Sequence, residues 1–201
     1  IGPVKLFSDG ALGTQTAAML QPYEGSVENL GMLMMDEEEL FAIGRLAVQN
    51  GISLAVHAIG DLANRHVLDG LARLRDFESS HHLPALRHRI EHVQLLHPDD
   101  AGRLADLHII ASMQPIHEPE DRAWAEARLG PERMAGAYPW RAVLRGGAHL
   151  ALGSDFPVES ADPRLGLYAA VTRQDREGWP AGGWHPEQIV GRYQALRMFT
   201  I

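Results

Sequence analysis

Short apolar runs alternate along this chain with longer stretches whose apolar positions recur every three or four residues. The runs PVKLF (3–7), ISLAVHA (52–58), RHRIEHVQ (87–94), HIIASMQP (108–115) and HLALGSD (149–155) read as strands. After the first run comes the turn-rich stretch SDGALGTQ and a long loop reaching Met35. A helix is predicted to begin at Asp36, which caps it, with Glu39 completing a capping box. Leu40, Ile43 and Ala47 share one face of it, and Gly51 suits the left-handed position beyond its end. In DLANRHVLDGLARLRD, Ala63, Val67, Leu71 and Leu74 form one apolar side of a second helix. Further helices are predicted in PDDAGRLADL (opened by Pro98), in PWRAVLRGG, over Pro163–Arg173, and from Pro186 to Phe199 with Ile189, Tyr193 and Leu196 on one face.

Strands alternating with amphipathic helices imply an α/β fold of parallel strands joined by helical crossovers. An open doubly wound sheet could hold five strands, yet no Gly-rich phosphate turn follows the first one. A second regularity favours a (β/α)₈ barrel. Residues able to do chemistry close the apolar strands at their C-terminal ends: His57, His92, Gln114 and Asp155. In a barrel those ends open onto one face, where active sites lie.

Composition narrows the function. Hydrophobic residues make up 45% of the 201, enough for one domain core or part of a larger barrel. A formal net charge of -8 repels phosphate backbones and anionic headgroups, which argues against nucleic-acid and membrane partners. No apolar run is long enough to span a bilayer. With no cysteine, a metal site must use His, carboxylate or a modified Lys, and the chain fits a reducing, cytoplasmic setting.

Taken singly, the candidate residues have ordinary readings. A strand-end histidine is more often structural than a ligand, and Asp155 in GSD suits a turn. Lys5 inside an apolar strand is harder to dismiss, because a buried unpaired ammonium is costly. Four possible ligands on four strands, in the order Lys5, His57, His92 and Asp155, make coincidence a poor explanation.

The segments KLFSDGALGTQTA, AVHAIGD, RIEHVQ, ASMQPIHEPEDRAWAEARLGPER and LALGSDFPVESADPRLGLYAAVTR together resemble the third family of the amidohydrolase superfamily, which contains N-substituted formamide deformylases. GSDFPVE, MQPxH and HAIGD in register are the most specific of these signals. The resemblance implies a partial TIM barrel, about strands 4 to 8 with their helices, in which Lys5, often carboxylated in that family, bridges two divalent metals. It maps His57 and His92 onto the histidines of the fifth and sixth strands, and Asp155 onto the aspartate of the eighth. By the same resemblance residues 1–201 are the C-terminal portion of a metal-dependent hydrolase barrel. The first strands, with their His-x-His pair, and a small β-sandwich domain would lie outside the chain.

The expected chemistry is hydrolysis of an amide or other non-peptide C–N bond in a small molecule. A divalent metal lowers the pKa of water towards about 7 and polarises the carbonyl. Neutral imidazoles and hard oxygens suit zinc or a similar first-row ion. Asp155 is the expected general base and acid. Gln114 and His117 are substrate-binding candidates, with a loop-stabilising role as the alternative. Alternation from His92 points Glu91 away from the barrel centre. Asp61 caps the second helix or orients His57, and Asp9 with Gly10 forms a turn beneath the metal. Trp124, Trp140, Trp179 and Trp184 shape an apolar pocket or belong to the core. Two rival functions stay open: an inactive fragment or degenerate homologue with a role in association, including self-association, and a deaminase of a heterocycle.

Overall fold

A computed structural model describes residues 2–200. Five parallel strands form one sheet in the order β1-β2-β3-β4-β5: Val4–Phe7, Leu54–Ala58, Arg89–His92, Ile110–Met113 and His149–Leu152. Every strand lies beside its sequence neighbour, with no reversal of order. A doubly wound sheet needs such a reversal, whereas a barrel wall winds in one direction. The fold is an α/β partial barrel.

The register separates the two faces. Leu6, Val56, Ile90 and Ala111 align across four strands and are buried under the helices. Phe7, His57, Glu91, Ser112 and Ala151 align on the opposite face. That inner face is open: Lys5 is exposed, and Phe7 is 51% exposed. Within residues 2–200 Lys5 is thus exposed, where burial was expected. Its strand is apolar because one face packs on helices, and Lys5 stands on the other.

Helix α1 (Glu37–Gln49) starts as anticipated, with the Asp36 carboxylate accepting from the Glu39 amide at 2.8 Å and the Glu39 carboxylate accepting from the Asp36 amide at 3.2 Å. Gly51 takes φ +70, where a side chain would be strained. The buried stripe is Leu40, Gly44, Ala47 and Val48, leaving Ile43 exposed. Packing against α2 (Asp61–Ser80) explains the shift, because Gly44 lies close against Leu74, whose methyl would sit 3.0 Å from an added Cβ. Ala63, Val67, Leu71 and Leu74 of α2 are fully buried. Each large apolar side chain so removed from water stabilises the fold by about 1.5–3 kcal/mol.

The stretch after Pro98 makes only a 3₁₀ turn (Pro98–Asp100) and one turn of α3 (Arg103–Asp106). Helix α4 (His117–Leu129) had no counterpart in the pattern, since it buries only Glu118, Ala125 and Leu129 and carries Pro119 in its first turn. A proline there costs no helix hydrogen bond. Helices α5 (Trp140–Arg145) and α6 (Pro163–Thr172) fall where expected. The last predicted helix splits into a 3₁₀ turn (Pro186–Gln188) and α7 (Arg192–Thr200). Ala195 and Met198 face inward there, while Tyr193 and Leu196 are exposed, so the proposed Ile189–Tyr193–Leu196 stripe does not form.

Candidate metal centre

His57 and His92 meet edge to face at the C-terminal ends of β2 and β3, with ring centroids 4.5 Å apart. Strand pleating alone does not bring them together, because His92 pairs in register with Ala58, on the helix-facing side. The pleat ends at His92, whose φ is 77, followed by Val93 at φ 46. Two successive left-handed residues swing the His92 ring towards His57. The same break corrects the reading of Glu91, which keeps the inner-face alternation, aligns with His57 and pairs with Arg89.

Each imidazole has one nitrogen committed. His57 Nε2 lies 2.9 Å from the Gly10 carbonyl, which can only accept, so that nitrogen carries the proton and Nδ1 keeps its lone pair. His92 Nδ1 donates to Gln114 Oε1 at 2.8 Å, leaving Nε2 as its lone-pair nitrogen. Burial, then the neighbouring His57, pushes His92 down to about 3, and burial lowers His57 below its ordinary value. Both are neutral at pH 7. The 3.4 Å approach of Asp9 Oδ1 to His57 Nε2 is therefore not an ion pair. Neutral rings with the outer nitrogen bound to protein oxygen are the state in which histidine binds a metal.

Asp9 organises this end of the sheet. Its buried carboxylate accepts from the amides of Ala18 at 2.9 Å, Ile59 at 3.0 Å and Gly60 at 2.8 Å, tying the β1 loop to the start of α2. Burial raises it to about 6, against the lowering effect of those bonds. Gly60 is required at this junction: a Cβ there would lie 1.9 Å from the Ala18 carbonyl oxygen. Asp61 Oδ1 accepts from the amides of Leu20 at 2.8 Å and Leu62 at 3.0 Å, so it orders the helix start and not His57.

Lys5 and Asp155 border the histidine pair without closing on it. The Lys5 ammonium lies 4.8 Å from the Phe7 ring centroid, and partial burial lowers its pKa. Asp155 follows β5 at φ 56, is exposed, and stands close enough to act electrostatically on Lys5, His57 and His117. Among the described residues no three His, Asp or Glu side chains gather closely enough to hold an ion by themselves. The donors fit a first-row cation in kind and tautomer. Lys5 on the inner face and Asp155 after β5 are the further candidate donors beside the two rings.

Gln114 and His117 part company. Gln114 holds His92 with its carbonyl and donates one amide hydrogen to the Ser112 carbonyl at 3.2 Å, so it positions a histidine and keeps a second amide hydrogen. His117 opens α4 with its ring 6.1 Å from that of His92, and its buried Nε2 has no hydrogen-bond partner. Behind them Gln94 donates to Asp121 at 2.7 Å and to the Tyr138 hydroxyl at 2.8 Å, a network that carried no sequence signal. The tryptophans divide: Trp140 is core, Trp124 and Trp184 pack against the core, and Trp179 is 60% exposed under the Arg122 guanidinium.

Known proteins supply an independent line. The sequence model of the amidohydrolase family matches residues 1–201. The crystal structure of an uncharacterized metal-dependent hydrolase from Pyrococcus furiosus superposes with a TM-score of 0.83 at 33% identity, over 99% of this chain and 38% of that one. LONG AFTER FAR-RED 3 of Arabidopsis thaliana is 37% identical over 100% of this chain and 34% of its own length. An N-substituted formamide deformylase of Arthrobacter pascens is 28% identical over 100% of this chain and 35% of its own. The chain thus spans about a third of the length of the curated relatives it matches. A one-way parallel barrel wall with paired neutral histidines at its strand ends, matched by the family along its whole length, places this chain in the amidohydrolase family.

Proposed function

We propose that the protein containing this chain is a metal-dependent hydrolase of small-molecule amides, formamides or related C–N bonds. The observation that carries the reading is the His57–His92 pair: adjacent, neutral, and each fixed through one nitrogen so that the other is bare. His57 Nδ1, His92 Nε2, an Asp155 oxygen and a carbamate on Lys5 would hold one or two divalent ions, with zinc the best match to this donor set. When bound, such an ion supplies an activated water near neutral pH and polarises the amide carbonyl.

The chain's own groups do the rest. Asp155, exposed beside the rings, takes the proton of the attacking water and passes it to the departing amine. The lowered pKa of Lys5 favours the neutral amine that carbamate formation requires. His117, whose Nε2 has no partner in the protein, would donate a hydrogen bond to the substrate carbonyl. Apart from the metal, the proposed partner is the small-molecule substrate. Among the described residues no helix is long and apolar enough to cross a membrane; the cytoplasmic setting is proposed from the cysteine-free sequence. Purification without chelator tests the reading: stoichiometric transition metal and chelator-sensitive cleavage of N-substituted formamides are expected. Metal-free protein that hydrolyses them in excess chelator would refute it.

A further inference from the structure

A cavity of about 400 Å³ opens beside His117, between the first turn of α4, helix α6 and residues 174–177. Its inner wall is apolar, made by Ile116, Pro119, Leu165, Ala169 and the ring of Tyr168. Its rim is charged. Glu120 and Glu177 are exposed there and in no ion pair among the described residues, while Asp175 is neutralised by Arg122 at 2.7 Å. Arg176 is the one rim cation of the lining residues. Glu159 lies close by, within electrostatic reach of Glu120, Arg176 and Asp155. Carboxylates therefore outnumber cations around an apolar floor, and the volume suits a small organic group.

Position ties this cavity to the candidate centre. Ile116 and His117 are consecutive, and Pro119 and Glu120 continue the same helical turn. His117 feels the charges of both Asp155 and Glu120. Whatever occupies the cavity lies one residue from a ring that stacks on His92.

We propose that this cavity is a specificity pocket for one substituent of the substrate, and that it selects an apolar, preferably aromatic group carrying a positive charge over a neutral one and excludes an anionic one. The apolar part would lie against Ile116, Leu165 and Tyr168, with the cation at Glu120 and Glu177. That the occupant is a substrate rests on the hydrolase reading above; the selectivity itself does not.

Three probes sharing one ring separate the possibilities: benzylammonium, benzyl alcohol and benzoate, titrated into the chain and followed by backbone amide shifts. Benzylammonium should bind best and benzoate worst, with shifts centred on Ile116, Tyr168 and Gln174. The double variant E120Q/E177Q should bring benzylammonium down to the level of benzyl alcohol, a loss of about threefold to tenfold. Both sites are exposed, so the variant should keep the wild-type amide spectrum elsewhere. Benzoate binding as well as benzylammonium, shifts mapping elsewhere, no binding by any probe, or unchanged selectivity in the variant would each overturn the pocket. Amide hydrolysis by the metal-loaded protein is read separately. Absence of turnover with the selectivity intact counts against the hydrolase reading alone.

Discussion

The two ends of the sheet use histidine in opposite ways. At the N-terminal end His88 is wholly buried, its Nδ1 accepting from the Leu54 amide at 3.0 Å and its Nε2 donating to Glu78 at 3.1 Å. Arg75 completes that group by donating to Glu78 at 2.7 Å and to the Leu107 carbonyl at 2.9 Å. Every nitrogen of His88 is spent inside the protein. At the C-terminal end His57 and His92 are also neutral, yet each keeps one nitrogen bare. Neutrality alone does not mark a functional histidine. What sets the pair apart is two uncommitted lone pairs on adjacent rings, the arrangement that a shared metal ion would use.

The largest effect should come from the one proposed proton carrier. In the whole protein containing this chain, on the proposed function, Asp155→Asn should lower kcat by about 10²–10⁴-fold while stoichiometric metal and melting temperature stay near wild type. A variant as fast as wild type would remove Asp155 from the chemistry.

The opposite end should respond in stability alone. Glu78→Ala leaves the buried His88 N–H, the Arg75 guanidinium and the Leu86 amide without their acceptor. Breaking a buried charge network in this way costs about 3–5 kcal/mol, to be read from urea unfolding, with no change in the metal bound per folded molecule. A loss of metal in parallel with this substitution would blur the contrast between the two ends.

Smaller again is the effect of the group behind His92. Gln114→Leu removes the acceptor of His92 Nδ1–H and frees the ring to turn or change tautomer. Metal affinity should fall about 10–100-fold by competition titration, with little change in stability. An unchanged affinity would mean that Gln114 does not orient His92.

Much of the fold and the place of the candidate site was legible in the residues. Apolar runs gave the strands, and the polar residues closing them pointed to one end of a barrel. What escaped lies where the backbone departs from regular periodicity or where chemistry is set by partners distant in sequence. Glu91 was placed on the wrong face because alternation presumes an unbroken pleat, and β3 breaks at His92. Lys5 was expected to be buried because an apolar run does not say which face is covered. Helix α4 was missed because it buries a carboxylate and two small stretches of apolar surface instead of a full stripe. The hold of Gln114 on His92 was not foreseen because that bond spans 22 residues and leaves no local signature.

The most direct test is a zinc titration of the whole protein containing this chain, uniformly ¹⁵N-labelled and followed through the histidine side-chain nitrogens. Zinc should shift His57 Nδ1 and His92 Nε2 as ligands, while their partner nitrogens keep their protons and His88 stays unchanged. Coordination through His57 Nε2 or His92 Nδ1, response at His88, or zinc bound with both rings unaffected would contradict the account.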